Sequence, residues 1–460
     1  MKIRNYVLSF TALVMIVVGV FFIFHFRNEK PIDKPRILQQ DEDEGIGDAV
    51  AWLGKLRNDP QTRKLDAVAF LKARKEVAFG LQHQNKSLGL QWENMGPDNQ
   101  GGRTRAILID KNNPSILYAG GVSGGLWKST TGGSSWNQID SVSANLAISC
   151  IAQSANGTIY VGTGEGLATP NGTNANTGTI GGGMYKSTDG IDFTLIPSTI
   201  PTPNSNSVSW ALINRIACDP VNSNRIYAAT NTGFFISNDG GDTWKVVKYV
   251  LNSNYFNLGG EATDVKVGSD GSVATAVNSR CYTSDNGNDS TFISRSSTSP
   301  GSLPIAGIGR IELAIAPSNS SIMYCVAAKT DGSLENIYRS NDKGVSWYII
   351  APGGSTSFYL FGSNNQGWYD NVIAVYPNNP DMVLVGGIDM WKGLKVSSTG
   401  FFSWTQITSA YYVHVDHHGY YFHPNYPNPS SIYIGTDGGI FRSTNGGTTW
   451  QALNKNYTTF

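Results

Sequence analysis

Seven copies of one short turn recur along the 460 residues, and their spacing constrains the fold more than any other feature. The most complete copy is Ser237-Asn238-Asp239-Gly240-Gly241-Asp242-Thr243-Trp244, an S-x-D-x-G-x-T-W pattern. Near copies run from Ser129 to Trp136, Ser340 to Trp347, Ser397 to Trp404 and Ser443 to Trp450. A weaker copy begins at Ser187, one residue short and with Phe193 in the Trp position; another begins at Thr283, with Asp285 and Gly287. The starts lie 46 to 58 residues apart. A period of that size marks a repeat architecture, and four short strands per repeat mark a β-propeller. In the first repeat RTRAILI, ILYAGG, GLWKS and WNQI supply such strands, so seven four-stranded blades fit residues 97–454 of an all-β fold.

The motif has a local physical basis. Ser and Asp side chains bond backbone groups of a tight turn, Gly takes the positive φ, and the closing Trp buries a large apolar area between blades. In these residues the chain resembles the Asp-box (BNR-repeat) propellers. That group includes sialidases, xyloglucan-hydrolysing two-propeller glycosidases and the sortilin ectodomain. The resemblance implies that the boxes are folding elements remote from any ligand. RNDPQT, a following helical stretch and WENMGPDNQGGRTRA are also similar to exported Bacteroidetes-type BNR-repeat "glycosyl hydrolase" proteins, over residues 47–460. The final LNKNYTTF resembles a segment from which related chains continue into further blades. It leaves open both a piece of a longer protein and closure of one seven-bladed ring.

Lys+Arg and Asp+Glu balance at 34 each, so no overall basic field invites nucleic acid. Cys150, Cys218, Cys281 and Cys325 form no CxxC and read as buried free thiols. Lys2 and Arg4 precede an apolar run from Tyr6 to Phe26, long enough for a bilayer-spanning helix and lacking an A-x-A cleavage site. Residues 1–26 therefore read as a signal anchor in preference to a cleaved signal peptide, and the chain as exported. Residues 27–46 read as a charged linker and 47–90 as a helical segment, with Leu53, Leu56, Leu65, Val68, Leu71 and Val77 at helical spacing. The propeller occupies 91–460.

Strand direction alternates within a blade, so the 1–2 and 3–4 loops share one face and the 2–3 and 4–1 loops the other. The boxes lie in 3–4 loops. The long insertions 164–183, 197–209, 250–262 and 351–369 all fall on the opposite face. Long loops on a rigid scaffold are where function concentrates. Inner strands start at that face, which points to Arg103, Arg105, Trp210, Glu261, Arg310, Trp368 and Tyr369 as ligand-binding candidates. Asp370, Asp416 and Asp437 are the catalytic candidates. Acids, arginines and aromatics together suit a sugar, whose faces stack on rings while its hydroxyls bond charged groups. His414, Asp416 and His418 would share one side of a strand and form a candidate divalent-metal site, or else a hydrogen-bonded network.

A glycosidase needs two suitably spaced carboxyl groups. The xyloglucan hydrolases carry a catalytic Asp in a T-D-V-G-G stretch. The comparable residues here are Gly121-Val122-Ser123-Gly124-Gly125, and only Thr436-Asp437-Gly438-Gly439 is similar. The R-I-P motif of sialidases is missing, which excludes that activity. Two readings follow. One is an exported envelope propeller that binds, and at most hydrolyses, extracellular polysaccharide at the insertion face. The other is a non-catalytic, sortilin-like scaffold for protein or peptide partners. The acid-rich mouth favours the first.

Overall fold

The computed structural model describes residues 96–142, 145–167, 179–203, 208–354, 358–363, 365–407 and 413–459, with short stretches at 55–56, 61, 69–74 and 76–77. The anchor and linker expected over 1–46 lie outside the described residues. So does most of the expected helical segment; residues 55–56, 69–74 and 76–77 of it are helical. Among the described residues no helix is long and apolar enough to cross a membrane.

Seven four-stranded antiparallel blades follow one another, each with its four strands in sequence order, and the fourth is extended at its outer edge by a further hairpin. The innermost strands are Thr104–Ile109, Ile148–Gln153, Ile213–Cys218, Ala262–Val267, Ile308–Ala316, Val372–Val375 and His417–Phe422. Each packs on the next, and the seventh packs on the first, which closes a seven-bladed ring. In blades one, two, three and seven the second strand is buried without a break: Leu117–Gly121, Ile159–Thr163, Ile226–Thr230 and Ile432–Thr436. Such apolar runs fit strands covered on both faces. The core is thus a series of seams between blades, one uniting Tyr324, Val326 and Ile337 of blade five with Ile373, Val383 and Val385 of blade six.

The repeated turns hold themselves together. Ser237 Oγ donates to Asp239 Oδ1 (2.7 Å) and accepts from Gly241 N (2.8 Å), while Thr243 N donates to Asp239 Oδ1 (2.9 Å). The Thr243 hydroxyl, which donates to Asp239 Oδ2, together with the Thr243 N and Ser237 Oγ bonds, holds the Asp239 carboxyl down at about 2. Two of the Trp residues reach across to the preceding blade, Trp136 Nε1 donating to Leu453 O and Trp404 Nε1 to Ile350 O, whereas Trp244 Nε1 donates to Gly241 O of its own turn. In the fourth repeat the turn is shifted by one residue from the expected Thr283-Asp285 register. Ser284 Oγ accepts from Gly287 N, Asn286 takes the Asp position, and the Asp285 side chain is 77% exposed.

Residues 250–262 also differ from the expected plain loop. Lys248–Leu251 and Asn254–Asn257 form a hairpin whose first strand runs parallel to the outermost strand of blade four, Phe292–Ser294. At the chain end Tyr457 is fully buried between Trp127 and Trp136, and its hydroxyl shares a 2.9 Å bond with Thr104 Oγ1.

Candidate functional site

Six of the seven innermost strands carry a register shift at their second residue: Arg105, Ser149, Asn214, Thr263, Gly309 and His418. Blade six keeps a regular register. A bulge leaves one residue unpaired and re-aims its side chain. In blades two to four that side chain grips the next blade. Ser149 Oγ donates to Ile213 O, Asn214 Nδ2 to Ala262 O at 2.8 Å, and Thr263 Oγ1 to Ile311 O at 3.5 Å. In blades seven and one the bulges carry His418 and Arg105, and both enter a polar network on the insertion face.

That network is continuous. Arg103 grips Asp437 with two bonds, Nε to Oδ1 and Nη2 to Oδ2, both 2.7 Å, and its Nη1 donates to the Tyr369 hydroxyl at 3.0 Å. Tyr369 in turn donates to Glu165 Oε1, which also accepts from Arg105 Nη1 at 3.0 Å. Both guanidinium carbons stand 4.8 Å from the centre of the Tyr369 ring. His418 Nε2 lies 2.5 Å from Asp437 Oδ1 and His418 Nδ1 lies 3.4 Å from Asp370 Oδ1. An ionised Asp437 only accepts, so the ring proton sits on Nε2.

The three carboxyl groups are held in different states. Burial pushes Asp370 well above the ordinary carboxylate range, and the neighbouring Asp416 and Asp437 push the same way. Asp416 is raised to about 6, first by burial and then by Asp437. Burial works against ionised Asp437 too, but the bonds from His418 and Arg103 prevail and hold it well below that range. Burial lowers the His418 ring, which is thereby kept neutral despite Asp437. Asp370 Oδ1, Asp416 Oδ1 and His418 Nδ1 are buried atoms with no hydrogen-bond partner among the described residues.

Of the residues singled out from sequence, Arg103, Arg105, Tyr369, Asp370, Asp416 and Asp437 come together here. Trp368 is half-buried beside Tyr369, with ring centres 5.3 Å apart. Glu261 is half-buried, its carboxyl raised by burial although Arg310 opposes the shift.

Two ligand-binding candidates are corrected. Trp210 is only 6% exposed; its backbone φ of 63° turns the indole into the seam against Phe235 and Trp244, leaving no face for a ligand. Arg310 is 4% exposed and serves as a brace, donating to Tyr369 O, Asn371 O and Glu312 Oε2. The His414, Asp416, His418 triplet does not share a side. The strand begins only at His417, Asp416 has a φ of 64°, and His418 is bulged, so the alternation is broken twice. His414 is exposed and bonds its neighbour's carbonyl, and no group of three or more His, Cys, Asp or Glu among the described residues is placed to hold a metal ion.

Sequence reasoning does not single out Arg215 and Lys266, which form ion pairs with Asp264 and Glu312 on the ring axis. The available signal was a charge inside an otherwise apolar inner strand.

No protein-family model matches the sequence, and no curated protein sequence is significantly similar to it. Solved structures are similar in fold. An ancestral GH74 enzyme superposes with a TM-score of 0.57 at 18% identity, over 79% of this chain and 48% of that one. The GH74 enzyme of Niastella koreensis superposes with a TM-score of 0.53 at 19% identity, over 78% of this chain and 55% of that one. The chain therefore spans about half the length of these enzymes. At such identities the likeness establishes the propeller fold alone.

Proposed function

We propose that this chain is an exported propeller of the Asp-box, BNR-repeat kind that binds an extracellular glycan at the insertion-face mouth. The observation that carries the reading is Asp416 Oδ1, a buried polar atom without a partner among the described residues, near an Arg103 side chain that is 42% exposed and bonds Tyr369, against which the half-buried Trp368 indole packs. A buried polar atom calls for a partner, and a sugar hydroxyl supplies one while its ring face lies on the indole. The likeness to two GH74 enzymes agrees with a carbohydrate ligand.

Hydrolysis would fall to Asp416 and Asp437. Asp416 keeps its proton up to about pH 6 and is the open acid, whereas Asp370, at 1% exposure, cannot touch a substrate. Asp437 is ionised but held by Arg103, so it becomes the second carboxyl only when a ligand draws Arg103 away. Binding is therefore the primary activity.

A polysaccharide panel tests this on the full chain, reading both affinity and release of reducing ends. The expected result is binding that Arg103→Ala and Trp368→Ala each weaken about tenfold or more. Any release of reducing ends is lost in Asp416→Ala. Absence of binding to every polysaccharide overturns the glycan reading and leaves the protein-binding scaffold.

A further inference from the structure

On the ring axis, beyond the mouth, lies a cavity of about 380 Å³. Its walls come from the later residues of the inner strands, including Ala217, Cys218, Val267, Ala314, Val375 and Phe422, so it belongs to the face that carries the repeated turns. The residues of the mouth network take no part in its lining. At the inner end stand Arg215, Lys266 and Glu312.

The donors and acceptors of that end are unequal. Asp264 Oδ1 accepts from Arg215 Nε (3.2 Å) and Lys266 Nζ (2.8 Å), and Asp264 Oδ2 accepts from Leu313 N (2.8 Å). Glu312 Oε1 accepts from Arg215 Nη2 (2.7 Å) and Lys266 Nζ (3.2 Å), and Glu312 Oε2 accepts from Arg310 Nη2 (3.0 Å). All four carboxylate oxygens are engaged. Arg215 Nη1 has no bond among the described residues, and Lys266 uses two of its three ammonium hydrogens. Two carboxylates face three cations, counting Arg310. The two carboxylate side chains are 0% and 1% exposed, whereas Arg215 and Lys266 are 18% and 25% exposed. The end of the cavity thus offers spare charged donors, and the side chains farther along the walls, among them Ala217, Val267, Ala314, Val375 and Phe422, carry no charge.

We infer that this axial cavity is a binding site for a small monocarboxylate with an apolar body, its carboxylate on Arg215 and Lys266 and its apolar part along the inner-strand walls. The volume is in the range of pockets that take small molecules. Charge-assisted bonds to two cations orient the acid group, and burial of the apolar body against the uncharged wall side chains adds the rest. The site is separate from the mouth and does not depend on the glycan reading.

Calorimetric titration of the full chain with octanoate, with octanamide as the uncharged counterpart, tests the proposal. Octanoate is expected to bind one per chain and to raise Tm, and octanamide to bind about tenfold or more weaker. Lys266→Met removes one spare donor while Arg215 continues to hold both acids, and it is expected to weaken octanoate by about tenfold. Ala217→Leu narrows the cavity without touching a charge and keeps the variant set informative if Lys266→Met fails to fold; loss of octanoate binding by the folded protein is expected. Arg103→Ala is expected to leave octanoate binding unchanged. Absence of octanoate binding, equal affinity for octanamide, or undiminished binding by folded Ala217→Leu would overturn the assignment.

Discussion

The ring divides into two sectors at its insertion face. In blades two to four the bulged residues are Ser149, Asn214 and Thr263, short side chains that bond the backbone of the next blade. In blades seven and one the same position carries His418 and Arg105, which bond carboxylates and not backbone. Between these sectors, blade five has Gly309 at the bulge and blade six has none. One backbone device thus serves two ends. Where the side chain is short it ties neighbours together; where it is long and ionisable it builds a site, and the ties between blades fall to ion pairs.

The sharpest way to break that contrast is to remove an acid from the charged sector. Glu165→Ala leaves Arg105 buried without its carboxylate, since the paired side chains are only 8% and 10% exposed. A loss of about 3–5 kcal/mol is expected in urea unfolding, as for other halves of buried pairs. Asn214→Ala in the short-chain sector is expected to cost less, about 1–3 kcal/mol, because it deletes one neutral buried bond. Equal costs would mean that the sectors do not differ in kind.

A smaller effect sharpens the comparison through its sign. Asp416 holds its proton to about pH 6 in the folded protein, above its ordinary 3.8. Between those values the unfolded chain ionises first, so stability falls as pH rises and the penalty remains in full above pH 6. Asp416→Asn is therefore expected to gain about 1 kcal/mol at pH 7, after solvent screening, and nothing at pH 4. Asp437 has the opposite slope: its contribution is present above the ordinary carboxylate range and is lost as acid protonates it. The smallest effect is expected at the turn face. Asp285→Ala should leave Tm unchanged, whereas Asn286→Ala should lower it, because Asn286 and Ser284 form the turn there.

These residues also indicate what a sequence can disclose. The turn around Ser237 closes within five residues, so spelling and structure coincide, and the number of blades follows from counting such turns. The mouth is different. Arg103 and Asp437 are 334 residues apart, and they were identifiable only as inhabitants of one face, not as partners. Trp210, just before its inner strand, and Arg310, near the start of its own, turn inward, because a left-handed backbone at Trp210 and a brace from Arg310 to Asn371 decide their direction. The histidine run failed as a metal triplet because period-two reasoning assumes an unbroken strand, and neither the bulge at His418 nor the φ of Asp416 is written in residue type.

The bulges have a consequence for how such a molecule acquires new specificities. A residue lifted out of the ladder is released from the alternation that packs the blade, so its side chain can serve a purpose other than filling that blade. Six equivalent positions here hold six different residue types, from Gly309 to Arg105. One backbone device thus takes residues of very different chemistry, but each is held by its own surroundings: Ser149, Asn214 and Thr263 by bonds to the next blade, and Gly309 by the Lys329 carbonyl, which a Cβ would approach to 2.7 Å.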